Sequence, residues 1–287
     1  MSDASPRVSA YDVPALRTGL RTVAFGRTLH YRESVPSTNA TAMTLAHEGA
    51  CHGTLVLADT QTAGRGRRGR RWHSPPGCNL YCSIILRTDR NQAGLLTIIP
   101  LASALAVADA IADVTALQCR LKWPNDVMIR NKKVAGILCE SVGGQPGAVV
   151  VVGIGINANS RPEDFPGDVQ ATATTLLAES GTPVDRTVLM STLMNRLEER
   201  LSLLSSQTLA AVLDSYRGRC VTLGQLVRAT VGQGDMIEGI AETIGGDGSL
   251  LIRRSEPRAA GRTADLVEIR NADIVHLRQV THAGSME

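Results

Sequence analysis

The chain has 287 residues, 43% hydrophobic and 20% charged, enough to bury a full core and to form one large domain with a smaller one. The best apolar candidate for a membrane span, Leu95 to Val114, is interrupted by Asp109 and Asp113, and the N-terminus lacks the basic-apolar-small order of a signal peptide, so a cytoplasmic protein is expected. The net charge of +3 falls to −2 when five clustered arginines are set aside, which argues against a general nucleic-acid binder.

Residues 1–27 mix Ser, Pro, Gly and Arg with little periodicity and predict a loosely ordered extension carrying one helix near Val13 to Leu20. That extension is too short for a winged helix-turn-helix domain. Ser37-Thr38-Asn39 followed by Ala42, Met43, Leu45 and Ala46 predicts a capped amphipathic helix ending at Gly49. Thr54 to Ala58 reads as a strand, Asn79 to Arg87 as another, and Leu95 to Val114 as an alanine-rich helix that Pro100 either begins or kinks. Cys119 to Trp123 and Asp126 to Ile129 are short strands around Pro124; Lys133 to Ser141 pairs back across an Asn131-Lys132 turn, and Ala148 to Ile156 is a buried strand. Successive hairpins imply an antiparallel or mixed sheet.

Val188, Met190, Leu193, Met194, Leu197 and Leu201 recur at helical spacing behind an Asp185 cap, and a second helix covers Thr208 to Tyr216. After Gly218 the pattern becomes short strands with glycine turns, at Gly232-Gln233-Gly234 and Gly245 to Gly248, which predicts a small β-barrel. The six cysteines form no CxxC pair and sit mostly beside apolar residues, as reduced buried thiols do; a metal site at His73, Cys78 and Cys82 is the alternative.

The chemistry concentrates in four segments. Gln61 to Trp72 contains five arginines between Arg65 and Arg71, interleaved with Gly64, Gly66 and Gly69. Glycine lets the backbone approach a ligand, and guanidinium forks hold carboxylate or phosphate. Lys122-Trp123-Pro124-Asn125-Asp126, Lys132 to Leu138 and Gly153 to Asn157 each put a Lys or Asn at a strand end. No nucleophile-base motif accompanies them. Such a set suits the joining of two anions, a carboxylate attacking phosphorus while cations offset repulsion and take up the charge of departing pyrophosphate. Read singly, the loop could be a solvated basic turn or a GxGxxG fingerprint, although Trp72 to Pro76 follows where that fingerprint needs a helix. Lys133 alone could be an exposed hairpin lysine, Trp72 and Trp123 could be core, and Asp126 could orient Lys122 or the turn at Asn125.

Together, Gly64 to Trp72, KWPND, KxAGIL and GxGIN resemble the biotin protein ligase (holocarboxylase synthetase) family in order and spacing, over about Tyr31 to Arg278. The resemblance implies an α+β fold: a mixed, largely antiparallel sheet with flanking helices, class II synthetase-like, over residues 28–217, then an SH3-like barrel and tail over 218–287. It implies activation of biotin by ATP, with Mg²⁺, to biotinyl-5′-AMP, and transfer to a lysine of a biotin carboxyl carrier domain of an acyl-CoA or acetyl-CoA carboxylase. By motif, Ser37, Thr38 and Gln61 would meet the fused ring; Gly64, Arg65 and Arg67 the carboxylate and α-phosphate; Lys133 would bridge both, and Gly136 would lie against biotin. Asn125, Asn157, Arg70 and Trp72 would contact the nucleotide, with Lys133 and Arg67 the catalytic pair and no protein metal ligand. A monofunctional ligase is expected, without a DNA-binding domain, as a monomer or weak homodimer with no DNA or membrane partner. A lipoate or octanoate ligase and a nucleic-acid module are the competing readings.

Overall fold

The computed structural model describes residues 11–88, 96–141, 149–204, 208–232, 234–255, 266–270 and 272–277. Expectations for residues 1–10, for the start of the helix at Leu95, for Ala148 and Gln233, and for the C-terminal tail lie outside these residues.

Helix α1 (Val13–Gly19) leads into strand β1 (Leu29–Val35), which lies parallel to β2 (Leu55–Gln61), with α2 (Thr38–His47) as the connection between them. Every later pairing in this sheet is antiparallel: β3 (Leu80–Arg87), β4 (Arg120–Lys122), β5 (Asp126–Ile129), β6 (Lys132–Ser141) and β7 (Val149–Ile156) give the order β1-β2-β3-β7-β6-β5-β4. The sheet is thus mixed. Its parallel pair went unpredicted because β1, Leu-His-Tyr-Arg-Glu-Ser-Val, is half-exposed at the sheet edge and its alternation of Leu29, Tyr31 and Val35 is broken by Glu33.

Helix α3 (Ile99–Thr115) covers one face of the sheet. Pro100 sits in its first turn, where a missing N–H costs nothing, so proline begins the helix rather than kinking it. Leu101, Leu105 and Ile111 are buried along it, and small alanines let α6 (Arg186–Ser202) pack close. Asp185 caps α6 by accepting from the N–H groups of Thr187 and Val188. Met190, Leu193, Met194 and Leu197 are buried as predicted, whereas Val188 is exposed in the first turn. Of the segment expected to be loose, the described residues carry the expected helix as α1 and are packed: Tyr11, Leu16, Leu20 and Phe25 join the main core, and Glu198 of α6 accepts from the backbone N–H groups of Val23, Ala24 and Phe25. Its sparse apolar residues contact α6, a partner that local periodicity does not show.

Helix α2 covers the opposite face over a smaller core of Ala42, Ala46, Val56, Ile85 and Val151. The β5–β6 hairpin turns at Arg130-Asn131, one residue earlier than expected, because both residues take positive φ, +45° and +67°, as a two-residue primed turn demands. Lys132 therefore opens β6 and pairs with Ile129.

Short helices α4 (Gly167–Gln170) and α5 (Leu176–Ser180) precede α6, and α7 (Leu209–Arg219) leads to the second sheet. Strands β8 (Leu226–Val231), β9 (Asp235–Ile244), β10 (Leu250–Arg254), β11 (Leu266–Ile269) and β12 (Ala272–His276) form an antiparallel sheet in the order β11-β10-β9-β8-β12. Among the described residues the sheet is not closed: β11 and β12 remain its two edges. It is fastened to the first sheet by Trp123, which is core rather than ligand-facing; its Nε1–H donates to Gly248 O at 3.0 Å, and Val221 N donates to Leu121 O at 2.8 Å.

Candidate active site

The strand register places glycines where the sheet must be bare. Gly136 on β6 lies opposite Gly155 on β7, and Leu138 lies opposite Gly153, on the face shared with α2. Trp72 fills the first gap: a Cβ on Gly155 would stand 2.6 Å from its indole, and one on Gly136 3.1 Å. Beside this bare strip a cavity of about 710 Å³ opens past the N-terminus of α2, large enough for a drug-sized ligand.

One end of the cavity is uncharged. Ser37 and Thr38 are buried at the start of α2, with Ser37 Oγ as the helix cap. Thr38 donates from its N–H and its hydroxyl to Gln61 Oε1 at 2.9 and 3.1 Å, and Gln61 Nε2 donates to Ser74 Oγ at 3.0 Å. Ser83, from β3, donates within reach of both Thr38 Oγ1 (2.8 Å) and Asn39 Oδ1 (2.6 Å).

The other end is cationic. Lys133 Nζ lies 2.5 Å from Asp126 Oδ1 and 5.3 Å from the centre of a Trp72 ring. Asp126 therefore partners Lys133, a role the sequence left between Lys122 and the Asn125 turn. Arg67 donates to Asn125 Oδ1 (3.0 Å) and to Ala272 O of β12 (3.2 Å), and burial lowers its guanidinium below the ordinary value while leaving it charged. Arg70 pairs with Asp273 Oδ1 at 2.6 Å, and Arg65 with Glu140 Oε2 at 3.0 Å. Burial also lowers Lys122, helped by Lys133 and opposed by Asp126; its ammonium is not on the cavity wall.

Of the sequence-predicted residues, Ser37, Thr38, Gln61, Arg65, Arg67, Arg70, Trp72, Asn125, Lys133, Gly136 and Asn157 all border the cavity. Gly64 does not: it is buried behind the loop, where a Cβ would stand 2.6 Å from Trp72 O, and its carbonyl accepts from Trp72 N at 2.9 Å. Asn157 is buried and holds the far wall by donating from Nδ2 to Thr174 O at 3.1 Å. That wall, from Phe165 to Ala173 and including Asp168, was missed because its one element, the four-residue α4, is too short to show a periodicity and the segment carries no motif. Asn39, Gly153 and Gly155 were also missed as individual residues, although a Gly-Ile-Gly alternation inside a buried strand marks a face that something must approach. Trp72 Nε1–H is buried without a partner, which leaves a donor for a ligand to satisfy. His73, Cys78 and Cys82 form no metal centre, since among the described residues no three His, Cys, Asp or Glu side chains converge.

A mixed sheet with this cavity on its α2 face defines the class: residues 31–157 match the model of the biotin/lipoate A/B protein ligase family. The chain is 36% identical over 246 residues to the biotin–[acetyl-CoA-carboxylase] ligase of Mycobacterium tuberculosis, covering 84% of this chain and 86% of that protein. It is 35% identical to the bifunctional ligase/repressor BirA of Bacillus subtilis, covering 84% and 74%. Among solved structures, the biotin protein ligase of Aquifex aeolicus in complex with biotin and ATP superposes with a TM-score of 0.74 at 30% identity, over 88% of this chain and 99% of that one. The chain belongs to the biotin protein ligase family.

Proposed function

We propose that this protein is a biotin protein ligase that activates biotin with ATP and passes the biotinyl group to a lysine of a biotin carboxyl carrier domain. The observation that carries this reading is the polarity of the cavity, neutral donors and acceptors at the α2 end and Lys133, Arg67 and Arg70 at the other. A ureido ring suits the first and a carboxylate beside a phosphate the second.

Ser37, Thr38 and Gln61 hold the ring. Gly136 keeps the β6 backbone bare beside the valeryl chain. Arg65 and Arg67 take the carboxylate, and Arg70, Trp72, Asn125 and Asn157 take the nucleotide. A carboxylate oxygen forms a bond to the α-phosphorus while the bond to pyrophosphate breaks; Lys133 and Arg67 offset the repulsion of the two anions and the charge of the leaving group. The acceptor lysine, as neutral amine, then attacks the acyl carbonyl and AMP departs. Asp126 keeps Lys133 at the rim and screens it until an anion takes its place.

ATP requires a divalent cation, and Mg²⁺ binds phosphates with one or two carboxylates and several waters. Asp126 and Asp168 are the wall carboxylates within this scheme. Such an ion would supply charge neutralisation on the phosphates.

We assign residues 28–217 to the catalytic domain and 218–287 to an SH3-like module; the register shift between Leu251 and Ile252 bends its sheet in the way a barrel needs. We further place the protein in the cytoplasm as a monomer or weak dimer; Cys82, Cys119 and Cys220 are buried free thiols, which fits a reducing compartment, and no helix among the described residues is long and apolar enough to cross a membrane. Incubation with biotin, ATP and Mg²⁺ followed by mass spectrometry tests the whole reading. Biotinyl-AMP is expected, and lipoyl-AMP formed in preference from a mixture of the two acids would overturn it.

A further inference from the structure

The two ends of the cavity are joined by a polar chain from Asn39 through Glu140 to Arg65, and neither Asn39 nor Glu140 has a role assigned above. Asn39, the second residue of α2, is only 3% exposed, and all of its carboxamide is engaged. Its Oδ1 accepts from Ser83 Oγ at 2.6 Å; its Nδ2 donates to Leu138 O at 3.2 Å and to Glu140 Oε2 at 2.7 Å. The same Glu140 oxygen accepts from Arg65 Nη2 at 3.0 Å. Gly153 makes room for this arrangement, since any Cβ there would collide with the Asn39 amide.

An isolated Arg65–Glu140 pair would carry little weight, because both side chains reach solvent and exposed ion pairs contribute about 0–1 kcal/mol. Asn39 changes that assessment. A buried amide with three satisfied hydrogen bonds has one geometry, and it fixes the carboxylate that receives Arg65. Arg65 is the first arginine of a loop whose like charges repel, and Glu140 is the carboxylate that meets it from the sheet rather than from the C-terminal module.

Resting on the ligase reading, we infer that Glu140, held by Asn39, is a positioning residue that sets where the arginine loop closes over biotinyl-AMP. It touches neither ring nor nucleotide. Its effect is exerted on retention of the intermediate: with Glu140 in place Arg65 is docked against the sheet at the α2 end, and without it the loop opens from that side.

The test uses the full chain, preloaded with biotinyl-AMP, and follows its release. Adenylate formation by the wild type comes first, and its failure there would refute the ligase reading and not this one. Given formation, Glu140→Ala is expected to release the adenylate about ten-fold faster, a difference of about 1.4 kcal/mol. The KM for ATP should stay unchanged, which separates a positioning role from a general loss of structure; the thermal midpoint should fall only modestly, because Asn39 Nδ2 keeps its bond to Leu138 O. Arg65→Ala, which also loses its own hold on the carboxylate, should release the adenylate at least as fast, and Arg65→Ala/Glu140→Ala should be no faster than Arg65→Ala alone, because Glu140 acts through Arg65. The exchanged pair Arg65→Glu/Glu140→Arg should recover part of the retention. Wild-type release from Glu140→Ala, or additive effects in the double variant, would overturn the inference. Should Glu140→Ala be too unstable to purify, Glu140→Gln keeps the shape, and the same comparison with Arg65→Ala decides.

Discussion

The ring end and the loop end of the cavity are built on opposite plans. At the ring end, Ser37, Thr38, Asn39 and Ser83 are each 4% exposed or less and are satisfied by one another, by Gln61 and by main chain. At the loop end, Arg65, Arg68 and Arg70 are more exposed and hang from distant elements: Glu140 on β6, Thr230 O on β8 and Asp273 on β12. Arg68 adopts φ +54°, a left-handed conformation that costs a non-glycine residue about 1–3 kcal/mol and that its 2.6 Å bond to Thr230 O helps to hold. A satisfied, buried cluster presents the same face before and after a ligand arrives. A loop of guanidiniums tethered at its tips, on the proposed reading, would exchange these partners for phosphate. On that reading, specificity for the neutral ring would belong to the sheet and α2, and commitment to the charged intermediate to the loop.

The sharpest way to separate the two ends is to remove the cation they share. Lys133→Ala should abolish biotin-dependent exchange of pyrophosphate into ATP, lowering its rate about 100- to 1,000-fold, the loss expected for one charge-stabilising group. Biotin binding, measured by calorimetry, should fall far less, because Ser37, Thr38 and Gln61 remain. Exchange at the wild-type rate would remove Lys133 from the chemistry. Next in size, Arg67→Gly should leave the ring end intact and loosen the loop at its most buried arginine. With a charged hydrogen bond to Asn125 lost, about 1.5–3 kcal/mol, biotinyl-AMP should escape into solution roughly ten- to 100-fold faster. Retention equal to wild type would break the division between the ends.

The ring end is disturbed from beneath by Gly153→Ala. Its new Cβ meets the Asn39 amide, and overpacking of this kind costs about 1–3 kcal/mol. Both the thermal midpoint and the affinity for biotin should drop, while nucleotide affinity changes less. An unshifted midpoint would mean that Asn39 has room to move.

How much of this the sequence revealed follows the same division. The caps at Ser37 and Asp185, the β5–β6 hairpin and the arginine loop are local patterns, and each was legible from residues a few positions apart. Lys133 was placed by its context of motifs rather than by its own surroundings. What the sequence hid is long-range. Asn39 and Glu140 meet across 101 residues of chain, with Gly153 beneath them, and no spacing rule announces a buried amide that bridges a helix to a strand. β1 was lost because Glu33 breaks its alternation of Leu29, Tyr31 and Val35, and the segment from Tyr11 to Phe25 because its few apolar residues are legible only beside α6. The barrel was expected from glycine turns, which report hairpins faithfully but say nothing of whether the outer strands meet.

The smallest expected effect is the most informative about the loop. Asp273 receives Arg70 at 2.6 Å and stands 3.7 Å from Arg68, so one carboxylate of the C-terminal module occupies the guanidiniums that phosphates would claim. Arg67 reaches the neighbouring Ala272 carbonyl, and that bond survives loss of the carboxylate. Asp273→Asn removes one charge and keeps the shape, so it should free the tip of the loop without unseating its base. Both arginines are substantially exposed, which limits the cost to about 1 kcal/mol and the change in adenylate release to a few-fold. Limited proteolysis reads the loop directly. Cleavage between Arg65 and Arg71 should be faster in ligand-free Asp273→Asn than in ligand-free wild type, and biotinyl-AMP should protect both to a similar degree, because phosphate replaces the lost carboxylate. Equal cleavage of the two ligand-free proteins would mean that the loop is held by the sheet alone, and the C-terminal module would then have no share in closing the site.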